Sequence, residues 1–162
     1  MNPTVFYILA VAVTASTLLA ITSRQLIHAV VYLVLTFFSL ALIFYLMGAP
    51  LIAALEVIIY AGAIMVLFLF IIMMLEMGSA RIPLSPFWKV WGPATVIGLA
   101  ILICSALLFV SAPGTYQGAP SFFVSPRAFG QALYTRFMLG VEVVSLLLLF
   151  ALVGALYLGR RD

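Results

Sequence analysis

The chain has 162 residues, 67% of them hydrophobic and 7% charged, with a formal net charge of +3 and a mean hydropathy of +1.38. A soluble domain carries roughly 25% charged residues, so this chain lacks the polar surface for a water-facing fold and most of it must meet lipid or other apolar chains. The lone cysteine, Cys104, excludes an intrachain disulfide and a cysteine-ligated iron–sulfur cluster, and the absence of a basic stripe excludes nucleic acid as a partner.

Five apolar runs are long enough to cross ~30 Å of hydrocarbon at 1.5 Å per residue: 4–21, 26–47, 51–75, 90–110 and 137–158. The expected fold is therefore an all-α integral membrane protein of five transmembrane helices, one membrane domain over 1–162 with no soluble domain. The first run is preceded only by Met1-Asn2-Pro3, and its nearest charge is Arg24 on the far side. Lacking a basic leader, it reads as a retained helix and not a signal peptide. Thr22-Ser23-Arg24-Gln25 separates it from the second run, near whose start His28 reads as an interfacial polar residue. Gly48-Ala49-Pro50 marks the next turn, and Gly78, Pro83 and Pro86 end the third run. Cys104, in the fourth run, has no ligand company and reads as filler. Residues 111–132 form the one long connection, where Phe122 and Phe123 suit the headgroup level or a partner surface. The last helix begins at Phe137 or earlier, near Leu133.

Small residues recur at four-residue spacing in Ala12/Ser16/Ala20, Ala94/Gly98 and Ala151/Ala155/Gly159, a pattern that lets membrane helices approach closely. With alternating sides, Arg24, Arg81, Lys89, Arg160 and Arg161 share one face of the membrane and Arg127 and Arg136 the other. The richer face is expected in the cytoplasm, which puts the N-terminus outside and the C-terminus inside.

Two carboxyls interrupt the apolar runs, Glu56 and Glu142. A charge at the centre of a membrane helix costs roughly 2.5–3.5 kcal/mol on insertion scales, so such residues turn inward, find partners or take up a proton. Both are candidates for a proton path, the alternative being acids paired with a neighbour's Arg or Lys. Glu56 lies six residues, ~9 Å, past Pro50. Tyr60 follows at i+4, where a regular helix places it on the same face. Gly62 sits mid-helix, where it weakens helix preference and permits local rewinding, with Met65, Phe68 and Phe70 beyond it. No phosphate loop, nucleophile–base pair or metal-ligand spacing occurs, so no catalytic centre is expected in this chain.

Residues 56–74, EVIIYAGAIMVLFLFIIMM, closely resemble the third helix of the chain J family of bacterial NADH-quinone oxidoreductase, respiratory complex I, whose mitochondrial counterpart is NADH dehydrogenase subunit 6. The opening Arg24…His28-Ala29 agrees, as does the late run Gly130, Leu133-Tyr134, Glu142, Ser145 to Leu149, Ala151, Gly154-Ala155. The resemblance spans about residues 24–158. It implies a non-redox, membrane-arm subunit of a proton-pumping enzyme in the bacterial inner membrane. Its partners would be the other membrane subunits, lipid and the hydrophilic NADH-oxidising arm, with quinone reached indirectly. FMN, iron–sulfur clusters and quinone would belong to partner subunits, none to this chain. The resemblance also implies a π-bulge around Tyr60 and Gly62 whose change to regular helix opens or closes a water path, with Met65 and Phe68 completing a hydrophobic gate. The competing readings are a related subunit of a cation/proton antiporter or hydrogenase complex, and a purely structural spacer.

Overall fold

A computed structural model describes residues 3–23, 25–76, 87–110 and 124–160. Among them there are helices and no strands. In order they are α1 (Pro3–Thr22), α2 (Leu26–Leu46), α3 (Pro50–Glu56), a π-helix (Val57–Ile64), α4 (Met65–Glu76), α5 (Phe87–Val110), α6 (Pro126–Arg136) and α7 (Met138–Gly159). α3, the π-helix and α4 are continuous, giving one span from Pro50 to Leu75. Among the described residues five helices are long and apolar enough to cross a membrane, as the hydropathy pattern requires. Arg24, Arg81, Arg161, Gly78, Pro83, Pro86, Phe122 and Phe123 lie outside the described residues.

The described residues fall into two compact units. In the first, α1 and α2 form an antiparallel pair with α5 packed on both. The small-residue stripe Ala12, Ser16 and Ala20 is buried along its length. Ser16 Oγ lies 2.8 Å from Thr36 Oγ1 of α2 and 2.6 Å from the carbonyl of Ala12, to which it donates. Backbones held this close gain dispersion contacts that lipid would not supply, and the hydroxyl pair adds a hydrogen bond of roughly 0.6 kcal/mol. One apolar cluster gathers Val5, Leu9 and Cys104 with Leu42, Ile43, Leu46 and Leu108, and a second gathers Ala20, Tyr32 and Ala94 with Leu19, Leu35 and Ile97. Cys104 is thus core filler, as its surroundings in the sequence suggest.

α2 ends in a Schellman motif that aims the chain into the third span. Gly48 takes φ +83°, its N–H donates to the Tyr45 carbonyl at 3.1 Å, and the Ala49 N–H donates to the Phe44 carbonyl at 3.0 Å. The left-handed residue at that position is the role a glycine fills without strain. Pro50 then starts α3, where its missing N–H costs nothing.

The second unit contains α6 and α7. The sequence reading leaves residues 126–132 in the long connection, but Pro126–Arg136 is helical. Its start is capped by Ser125, whose Oγ accepts from the Ala128 N–H at 3.2 Å, followed by Pro126 at the first helical position. Phe137 interrupts the helix before α7. No residue of α6 or α7 is buried, so Ala151, Ala155 and Gly159 lie on open helix surface.

Candidate functional site

The third span carries the site. Its upper part packs on α2 through both α3 and the π-helix. Glu56 closes α3, and with 9% exposure it is the one buried charged side chain among the described residues. The cover comes from α2, the helix on which this stretch rests. Immediately after it the backbone widens: eight residues, Val57–Ile64, run in π register, and the Met65 N–H donates to the Tyr60 carbonyl five residues back. Gly62 fits this turn because it has no Cβ. A Cβ there would stand 3.1 Å from the Val57 carbonyl oxygen, closer than ordinary contact.

The π turn changes which residues face inward. Continuing a regular helix from Ala53 and Glu56 at 3.6 residues per turn would bring Tyr60, Ile64 and Ile71 to the packed face. The residues found there are Ala61, at 5% exposure, half-buried Met65 and Leu69, and buried Ile72. The packed face has moved on by one residue, as an inserted residue in one turn demands. Glu56 and Tyr60 therefore do not share the packed face, contrary to their i, i+4 spacing, because that spacing presumes an α turn. Tyr60 is 44% exposed on the flank of the span. One face of its ring stacks on Phe37 of α2, with 5.2 Å between centroids and 27° between planes.

The two bulky residues expected to act together are separated in the same way. Met65 sits on the packed face and Phe68, 44% exposed, sits off it. Glu142 is in the fifth position of α7, within the other unit, and is exposed. His28 is half-buried, with its ring 4.9 Å from that of Trp91 and tilted 54° to it. Both its ring nitrogens are closed off from solvent without a hydrogen-bond partner. Sequence reasoning missed Phe37 and Ala61. Ala61 is one alanine among many in an apolar run and carries no marker in the sequence. Phe37 carries no marker at all.

The geometry defines a polytopic membrane protein in which a buried carboxyl adjoins a widened π segment inside one span. Comparison with known proteins gives that class a family. A family model described as NADH-ubiquinone/plastoquinone oxidoreductase chain 6 matches residues 16–158. The chain is 38% identical over 160 residues to NADH-quinone oxidoreductase subunit J of Pseudomonas aeruginosa, covering 97% of this chain and 96% of the relative. The subunit J of Escherichia coli K12 is also 38% identical, at 97% and 86% coverage, and that of Rhodobacter capsulatus 35%, at 96% and 80%. The chain belongs to the chain 6 family of NADH-quinone oxidoreductases.

Proposed function

We propose that this chain is a membrane-arm subunit of a proton-translocating NADH-quinone oxidoreductase, and that its third span couples quinone reduction to proton movement by changing register. The observation that carries the reading is the π turn between a buried carboxyl and a one-residue shift of the packed face. Undoing the extra residue turns the far part of the span by ~100° relative to the near part. That turn replaces Ala61, Met65 and Leu69 on the packed face by Tyr60, Ile64 and Phe68. A small and flexible lining is exchanged for an aromatic one, beside Glu56. With Ala61 inward the lining beyond the carboxyl is a methyl group, and with Tyr60 inward it is an aromatic ring.

Glu56 and Glu142 act as protonatable groups, Tyr60 supplies a hydroxyl to the path in the regular register, and Gly62 makes the π turn possible. Met65 and Phe68 occupy the gate in alternate states. The chain itself performs no redox step. FMN, iron–sulfur clusters and quinone are held by partner subunits, and the chain packs among other membrane subunits of the bacterial inner membrane with its N-terminus outside. A spacer role is disfavoured because regular helix would suffice for it. Deleting the chain tests the placement. NADH oxidation by the soluble arm with artificial acceptors should persist while quinone-linked, proton-coupled turnover falls at least several-fold. Loss of the flavin reaction in an otherwise assembled soluble arm would contradict it.

A further inference from the structure

Phe37 has no part in the coupling scheme above, yet its ring makes the one aromatic contact to the π segment among the described residues. The separation of 5.2 Å and the small angle of 27° are those of an offset stack. We propose that Phe37 is the positioning residue that holds the third span in its π register, by keeping Tyr60 on the flank of the span. The proposal rests on the coupling reading, since it concerns the same change of register.

The two halves of the pair are not equivalent. Phe37 belongs to the fixed part of the molecule. Its neighbour Thr36 lies 2.8 Å from Ser16 of α1 and 2.9 Å from the Tyr32 carbonyl, and the Ala12/Ser16/Ala20 stripe locks α1 and α2 backbone to backbone. Ser39, two residues on, is fully buried and bonded within α2. Tyr60 belongs to the part that moves. Recovering the α register carries it by one residue's turn into the place that Ala61 occupies, and its ring then leaves the plane parallel to Phe37. The stack is therefore made in one register and lost in the other. A contact with that property biases the equilibrium between the two, whereas a contact kept in both does not. The aromatic ring at 37 is what matters, since a branched aliphatic side chain fills similar space without a flat face to stack.

The test uses the intact membrane complex carrying Phe37→Leu, Phe37→Tyr, Gly62→Ala or Phe37→Leu with Gly62→Ala. Single-particle images of the resting complex give the ratio of π to α register over residues 57–64, and quinone-coupled turnover is measured per assembled complex. Phe37→Leu should shift that ratio toward α by about two- to tenfold, the range a lost aromatic pair allows. Phe37→Tyr should restore the parent ratio. Phe37→Leu added to Gly62→Ala should slow coupled turnover little further, because the register has already been displaced. Should Phe37→Leu reduce assembly, Phe37→Met provides the second non-aromatic variant and carries the same expectation. An unchanged register in Phe37→Leu and Phe37→Met, with Gly62→Ala shifted, would overturn the role of Phe37 and leave the coupling reading intact. A shifted register in Gly62→Ala with turnover unaltered would instead defeat the coupling reading.

Discussion

In the proposed mechanism Glu56 is the residue on which the chemistry turns. A carboxyl covered by a neighbouring helix, one residue before the backbone widens, has surrendered most of its hydration and must be compensated by a proton, a water or a partner subunit's group. Glu56→Gln keeps the volume and the hydrogen-bonding capacity but cannot ionise. The complex should assemble, with proton-coupled turnover reduced about tenfold or more while NADH oxidation by the soluble arm is unaltered. Unchanged pumping per electron and unchanged rate in that variant would make Glu56 a structural acid. At this scale the sequence was legible where residue types are rare in a membrane helix. An acid, a mid-helix glycine and a tyrosine stand out against an apolar background, although Tyr60 does not share the face of Glu56 that their spacing predicts. Phe37 and Ala61 were illegible for the converse reason: one phenylalanine among many and one alanine among many carry no signal until the neighbouring helix is in place.

At the scale of the element, the third span shows how one residue type selects a backbone. Glycine at 62 leaves the Val57 carbonyl room that a Cβ would take, and the π turn depends on that room. Gly62→Ala should crowd the π register without harming a regular helix, in which alanine is the favoured residue. A bias of only about 1 kcal/mol alters the ratio of two states roughly fivefold, so coupled turnover should fall several-fold while the complex still assembles. Wild-type turnover in Gly62→Ala would show that the turn is not used. The span boundaries were readable from hydropathy to within a few residues, and the buried stripe of α1 from its small-residue spacing. The register of the third span was not legible from spacing, because i, i+4 arithmetic presumes the α turn that this segment abandons; only the family resemblance implied the π turn found around Tyr60 and Gly62. α6 was missed because its composition is too polar for a span, although Ser125-Pro126 is a helix-start signal in its own right.

For the whole molecule, the exposed apolar surface is the expected finish of a chain whose surroundings are lipid and other membrane subunits. Large hydrophobic side chains stand exposed along α4 and α7, where a water-soluble protein would bury them. On the proposed orientation, with the C-terminus in the cytoplasm, a reporter active only outside the cytoplasm and fused after Asp162 should stay silent. Strong activity there would reverse the orientation. The central claim, a change of register in the third span during coupling, is tested most directly by imaging the intact complex at rest and during NADH-driven quinone reduction and comparing residues 57–64. The account predicts two populations, one with Ala61 and Met65 on the packed face and one with Tyr60 and Phe68 there, whose ratio changes on turnover. A single π geometry, identical at rest and during turnover, would contradict it.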